Sequence, residues 1–436
     1  MKAGSSGNPT ANLSGGASAF LAKRLNGVSE SATLKLNAMV QSMKAQGIDV
    51  VNLTAGEPDF NVPDAAKEAI QKALAENKSK YTPVLGIPEL RQAVLEKTHK
   101  QQPEIGAKNP WKVDEVLVTN GGKQALYNAF MALLNPGEEV LIPSPFWLSY
   151  PEMVKLAEGK PVTVDTRYEE GFKLKPETLR AAIRDSASRT GGAGPKVLVL
   201  NGPGNPTGVG YSLDELRALG KVILEMRDSG HAKNLWVISD EIYDRIVFDG
   251  KPFVSFGAAC PELRDQLITV NGMSKSAAMT GWRIGWSIAR KELTQAMMTI
   301  QGQSTSGINS LAQWASLAAL KLPESVFEHQ VKSFQKRRDL TLEILGKADK
   351  IKVVRPTGAF YAFVGIGSFL NDGEDSMGFA ERLLQEAKVA VVPGTPFGAP
   401  EFCRLSYATD EASLAKGCER LVEFCLKQGA KRSSNS

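Results

Sequence analysis

Residues 115–134 read EVLVTNGGKQALYNAFMALL. A β-branched apolar run breaks at two glycines and continues into a segment with helical spacing. This is a strand, a tight turn and a helix in about twenty residues. The same grammar recurs along the chain. EEVLIPSPFW (138–147), KPVTVD (160–165), KVLVLNGPGNPTG (196–208), LWVISDEIY (235–243), QLITVNGMSK (266–275) and RIGWSIA (283–289) all open as buried-type strands. With 115–134 they make seven, so the pattern predicts an α/β fold with a mostly parallel seven-stranded sheet flanked by helices. Ligands of such sheets sit beyond the carboxyl ends of the strands, and the unusual residue clusters of this chain fall at those ends.

On either side of this block the pattern changes. SATLKLNAMVQSMKAQ (31–46) predicts a helix with Ser31 or Thr33 as its cap. IDVVNLTAGEPDF (48–60) reads as a short strand breaking into a loop, and 63–78 as a helix opened by Pro63 and Asp64. After residue 325 come a long helical run (325–345), strands in KVVRPTGAFYAFVGI, VAVVPGTPFG and CRLSYAT, and a closing helix near 410–428. The expected organisation is a disordered tail (1–16), an N-terminal segment (17–62) joined to a smaller α+β domain (325–430), and a large domain (63–324) between them.

The 436 residues carry a net charge of +5, spread along the chain, with no concentrated basic footprint for nucleic acid. No apolar run approaches the roughly 18 residues of a membrane-spanning helix. Four cysteines without a CxxC pair, together with three histidines, favour neither a disulfide framework nor a metal centre. His99, His231 and His329 sit in polar contexts and are expected to face solvent. The Gly/Ser-rich start lacks the apolar core of a secretory signal, so a cytoplasmic location is expected.

Two motifs mislead. GPGNPTG (202–208) has the wrong spacing for a dinucleotide fingerprint, and prolines interrupt it. NGGKQ has Leu117 where a P-loop needs its first glycine and Gln124 where it needs Ser or Thr. Gly121, Gly122 and Lys123 still combine a strand end with a helix start, which exposes backbone N–H groups to an anion; a plain tight turn would look the same. Lys275 follows the strand LITV between Ser274 and Ser276, with Arg283 eight positions on. A lysine sunk there loses solvation and becomes a nucleophilic amine, and the arginine suits a phosphate or carboxylate. Asp240 ends an apolar strand, where a buried carboxylate needs a cationic partner; a helix cap is the plainer reading. Tyr243 follows one turn later. Asn205 and Trp147 lie in proline-stiffened loops past other strands, the tryptophan ring suited to stacking on a flat ligand. An amine, an anion seat, a buried acid, Asn, Tyr and a flat ring at the strand ends of one domain are the set that pyridoxal phosphate needs.

With those residues in place, the chain resembles the fold-type I pyridoxal-phosphate aminotransferases of class I, and among them the bacterial subgroup of aspartate aminotransferases. LTAGEPDF, YTPVLGIPELR, GGKQAL, SPFWLSYPE, NPTG, SDEIYD, SKSAAMTGWRIG, TGAFY, VVPGTPFG and RLSYAT carry the likeness through nearly the whole chain. The resemblance implies that Lys275 forms the Schiff base with pyridoxal 5'-phosphate and shuttles the α-proton. It implies that Asp240 pairs with the ring nitrogen, that Asn205 and Tyr243 bond the ring oxygen, and that Trp147 stacks on the ring. Gly122, Lys123, Ser274 and Arg283 would hold the phosphate. Tyr81 would reach the phosphate of a neighbouring subunit, making a homodimer with shared sites. Arg404 would clamp the substrate α-carboxylate, with Gly56 closing over it. The family also favours cis peptides at Ser144–Pro145 and Asn205–Pro206.

The subgroup's distal carboxylate is read by the lysine of GGKQ and by N-terminal hydroxyls, which here are Lys123, Ser31 and Thr33. That points to transfer from L-aspartate to 2-oxoglutarate, with prephenate as an alternative acceptor. A kynurenine or aromatic aminotransferase, or a carbon–sulfur lyase, would share the cofactor residues but not these. A DNA-binding regulator on the same fold would need more chain than the short N-terminal tail provides.

Overall fold

The computed structural model describes residues 21–25, 27–29 and 32–433, and the side chains of 32–35, 37 and 429–433 lie outside the description. The large sheet is built from β2 (Val116–Thr119), β3 (Glu139–Ser144), β4 (Lys160–Asp165), β5 (Val197–Asn201), β6 (Trp236–Asp240), β7 (Leu267–Gly272) and β8 (Gly285–Ile288), following the short β1 (Val51–Asn52). Its order is β2-β8-β7-β6-β5-β3-β4. All neighbours are parallel except β8, which runs antiparallel to both β2 and β7.

Continuous apolar strands arise because both faces are covered. Val116, Val118, Leu198, Leu200 and Val237 belong to one core. Their chain neighbours Leu117, Val197, Val199 and Ile238 belong to another. Successive side chains of a strand point to opposite faces, so a strand between two helical layers is mostly apolar along its length. The first layer includes helices Leu213–Asp228 and Ser310–Leu320; the second includes Gly122–Leu133 and Lys291–Ser304. Each fully buried aliphatic side chain contributes about 1.5–3 kcal/mol. Asn201, Asp240 and Asn271 stand at or near the carboxyl ends of β5, β6 and β7.

A second core gathers Val51 and Leu53 with Phe334, Phe360, Tyr361, Leu405, Leu414 and Leu421. Its sheet comprises β9 (Lys352–Val353), β10 (Tyr361–Gly365), β12 (Val392–Pro393) and β13 (Phe402–Ser406), in the order β12-β13-β10-β9. The remaining strand, β11 (Val389–Ala390), pairs in parallel with β1, which lies more than 300 residues earlier. Tyr243, Ile246 and Phe248, from the segment after β6, also enter this core.

Several boundaries differ from the sequence expectation. The helix expected over 63–78 is Asp64–Ala75, and the closing helix runs Glu411–Ser433. VAVVP splits in two, because residues 389–390 pair with β1 whereas 392–393 pair with β13. Ser144–Pro145 and Asn205–Pro206 are cis, and so is Gly202–Pro203.

Candidate active site

β2, β3, β5, β6 and β7 all end at one edge of the sheet. β8, being antiparallel, starts there: Gly285 pairs with both Thr119 and Gly272. This reversal puts Arg283, which precedes its strand, among residues that follow theirs. The result is a cavity of about 360 Å³ whose walls include Gly56, Gly122, Lys123, Trp147, Asn205, Asp240, Tyr243, Ser274, Lys275, Arg283 and Arg404. Ligand sites of this kind span roughly 300–1,000 Å³.

At the anion end, Arg283 lies over the start of helix Gly122–Leu133. Its guanidinium donates to the carbonyls of Thr280 (2.9 Å) and Asn120 (3.3 Å). Two glycines make room. Gly121 has φ +80°, and a Cβ there would lie 2.5 Å from Arg283 Nη2; a Cβ on Gly285 would lie 2.4 Å from Gly122 N. Arg283 itself sits at φ +57°, left-handed backbone that costs a non-glycine residue about 1 kcal/mol or more.

Lys275 Nζ donates to the Gly56 carbonyl. Burial, the largest cause, pushes its pKa down to about 8; the cations Arg404 and Arg283 push the same way and Glu57 opposes them. At pH 7 roughly a tenth of such an amine is neutral, against well under a thousandth of an ordinary lysine. Asp240 is fully buried, and burial raises its pKa to about 6. Tyr150 Oη donates to Asp240 Oδ2 at 2.6 Å and Ile242 N to Oδ1 at 3.3 Å. Asn201 ties the neighbouring strand ends together: its Nδ2 donates to the Asp240 carbonyl (2.8 Å) and its Oδ1 accepts from Asn205 N (3.1 Å).

Burial keeps the Tyr243 phenol protonated, and it donates to Tyr361 Oη at 3.1 Å. Arg404, on β13, donates to the Thr54 carbonyl (2.7 Å) and to Asn205 Oδ1 (3.1 Å), lies 4.5 Å from the Tyr361 ring centroid, and leaves its buried Nε without a partner. Lys123 Nζ lies 4.9 Å from the Trp147 ring centroid; burial, then Arg283, lowers its pKa.

Of the residues singled out in the sequence, Tyr81 stands apart, 98% exposed and away from this cavity. Ser31 and the Thr33 side chain lie outside the described residues. His99 corrects an expectation: its Nε2 is buried without a partner rather than facing solvent. Tyr150, Asn201 and Tyr361 line the cavity and were not singled out. Each had a signal available. Tyr150 lies one turn after Trp147, Asn201 ends β5 directly opposite Asp240, and Tyr361 closes the quoted TGAFY.

An open-valence acid, a low-pKa amine, an arginine with a free buried Nε and a cramped glycine cradle fit pyridoxal phosphate with an amino acid beside it. Residues 48–421 match the model of the family described as aminotransferase class I and II. The chain belongs to that family. It is a fold-type I transaminase, and the family depends on pyridoxal phosphate. The chain is 45% identical over 407 residues to the aspartate/prephenate aminotransferase of Thermus thermophilus, covering 92% of this chain and 98% of the relative. It is 42% identical to that of Cereibacter sphaeroides, covering 93% and 99%. Among solved structures, the aspartate aminotransferase of Rhizobium meliloti superposes with a TM-score of 0.85 at 39% identity, covering 93% and 98%. The aspartate aminotransferase of Thermus thermophilus with maleate gives 0.82 at 43%, covering 93% and 99%.

Proposed function

We propose that this aminotransferase binds pyridoxal phosphate in the cavity at the sheet edge and moves the amino group of L-aspartate to 2-oxoglutarate, giving oxaloacetate and L-glutamate. The observation that carries the reading is the meeting of the Lys275 amine and the buried Asp240 carboxylate on the walls of one cavity. Pyridoxal phosphate, when bound, supplies an aldehyde that carries the amino group and a ring that takes up the electron pair left at the substrate α-carbon. Lys275 would hold the cofactor, and its amine, with a pKa lowered to about 8, would take the α-proton and return it. Asp240 keeps the ring nitrogen cationic. Asn205 and Tyr243 face the ring oxygen, and Trp147 covers the ring. Arg283, Ser274 and the backbone of Gly122 and Lys123 hold the phosphate. Arg404 takes the α-carboxylate, its unpaired Nε being available for that contact, and Gly56 lies over it.

The Lys123 ammonium, 4.9 Å from the Trp147 ring centroid, supports a dicarboxylic substrate, with Ser31 and Thr33 as further contacts. The relative named for aspartate and the neighbour solved with the dicarboxylate maleate favour the same class. The double name of the relatives favours prephenate as a second acceptor. Tyr81, exposed here, reaches the phosphate of a second copy in a homodimer. The pairing of β1 with β11 supports joining residues 17–62 to 325–430 as a small domain beside 63–324. Among the described residues no helix is long and apolar enough to cross a membrane, and we place the enzyme in the cytoplasm.

The test is half-reaction kinetics of the holoenzyme with aspartate, glutamate, kynurenine and phenylalanine, with 2-oxoglutarate and prephenate compared as acceptors. Aspartate should exceed the aromatic substrates at least about tenfold in kcat/KM, the effect of one charge pair. A preference for kynurenine or phenylalanine would overturn the substrate assignment.

A further inference from the structure

Tyr150 opens the helix Ser149–Leu156, one turn after Trp147, and is buried. Its ring stands edge-on to that of Trp147, with centroids 5.3 Å apart and planes at 88°. The ring is therefore held from one side, and the hydroxyl is aimed at Asp240. We propose that Tyr150 is a positioning residue of this site: through its 2.6 Å hydrogen bond to Asp240 Oδ2 it fixes the direction of that carboxylate and stabilises its anionic form for a cationic ligand atom.

Asp240 receives few other donors. Ile242 N reaches Oδ1 at 3.3 Å, a long bond. Three titratable groups act on the carboxyl: Tyr150 from its helix, Lys275 from the short helix Met273–Ser276 after β7, and Tyr243 from the segment after β6. Burial raises the Asp240 pKa, and the Tyr150 bond is the largest influence lowering it, ahead of Ile242 N and Lys275. A phenol bonded to a carboxylate is a charge-assisted donor, stronger than a neutral pair. Because the Tyr150 phenol is itself pushed well above its ordinary pKa by burial and by Asp240, the proton stays on the tyrosine and the charge on the aspartate. The same hydroxyl occupies Oδ2 of Asp240, while Oδ1 takes only the long bond from Ile242 N. Trp147 and Tyr150 thus act as one unit, the first covering a flat ligand and the second orienting the acid at its edge.

This inference rests on the pyridoxal-phosphate reading in its second readout only. The first readout uses the protein without cofactor: the Asp240 carboxyl is titrated by carbon-13 NMR in wild type and in Tyr150→Phe, which keeps the ring and its packing on Trp147. The midpoint should move upward in the variant. An unchanged or lowered midpoint overturns the proposal, whatever the cofactor does. The second readout is a double-mutant cycle on pyridoxal phosphate affinity. Tyr150→Phe should weaken binding about tenfold, equal to about 1.4 kcal/mol, and should do nothing further in an Asp240→Asn background. Equal losses in both backgrounds would make Tyr150 merely structural and overturn the role. Failure of the wild-type protein to bind pyridoxal phosphate would instead sink the functional reading and leave the titration to decide on Tyr150. Should Tyr150→Phe unfold, Tyr150→Trp, which also lacks the hydroxyl, is read in the same titration.

Discussion

Asp240 and Asp244 stand four residues apart in SDEIYD, and both are fully buried, yet their surroundings shift them in opposite directions. Asp244 has its cation inside the protein: Lys97 Nζ lies 2.5 Å from Oδ2 and Gln101 donates at 2.7 Å. Against burial, Lys97 and Gln101 hold its carboxyl below the ordinary range. Asp240 has a phenol, a backbone N–H and a cavity, and burial lifts it to about 6. A buried carboxylate costs free energy unless a cation meets it. Asp244 has its ion pair inside the fold, although its buried Oδ1 takes no hydrogen bond. Asp240 forms no salt bridge among the described residues and faces the cavity, and that distinguishes it from Asp244 better than burial alone. Glu241 makes the same point. It is lifted further, to about 7, by burial; its Oε1 accepts from Ser239, Ser255 and Phe256 N while its buried Oε2 has no partner, and it does not line the cavity.

Substitution separates the two carboxylates. The largest effect belongs to the group meant to meet the ligand. Lys275→Ala should lower the aspartate half-reaction by about 10⁴-fold or more, and stopped-flow absorbance would show it; near-normal turnover would remove the amine from the mechanism. Next, Lys97→Met strands the Asp244 charge and should cost about 3–5 kcal/mol of stability in urea titration, while the folded fraction keeps its kcat. A loss below 1 kcal/mol would mean that Asp244 does not depend on its internal cation.

The pH response of the protein without cofactor should carry both signs. Asp240 has a folded pKa of about 6 against an ordinary 3.8, so folding takes up a proton between those values and stability falls as pH rises through the window. The shift of about two units amounts to about 3 kcal/mol above pH 6. Asp240→Asn should remove that decline, leaving the comparable one due to Glu241 between about 4.5 and 7, and should make the cofactor-free protein more stable at neutral pH. Asp244, with its lowered folded pKa, stabilises above its ordinary value, and that contribution is lost as pH falls through the folded one. Thermal unfolding of wild type and variant from pH 4 to 8 measures both; a variant that tracks the wild type would show that Asp240 carries no such strain. The smallest effect is expected at the cavity rim. Lys123→Ala should raise KM for aspartate about tenfold, or about 1.4 kcal/mol, and leave KM for phenylalanine unchanged. Equal changes for both would take Lys123 out of substrate recognition.

The central strands were legible because burial on two faces leaves no freedom in composition: Val197–Leu200 and Val237–Ile238 had to be apolar, and the polar residues after them marked the ends. Lys275, Asp240 and Asn205 were therefore visible from the chain alone. Convergence was less so. Nothing local in RIGWSIA says that β8 runs antiparallel, yet only that reversal brings Arg283 to the strand ends. Tyr150 was hidden because its role depends on a helical turn that sets it edge-on against Trp147, and Asn201 because it bridges two strands rather than facing a motif partner. The split of VAVVP between two sheets at Val391 is equally non-local, since β1 lies at the other end of the sequence.

In the proposed site Asp240 is kept for a cationic nitrogen brought in by the ligand. Nitrogen-15 NMR of the holoenzyme prepared with ring-labelled pyridoxal phosphate tests this directly. The ring nitrogen should be protonated at neutral pH in the wild type and should lose that proton in Asp240→Asn. An unprotonated nitrogen in the wild type, or the same protonated signal in both proteins, would contradict it.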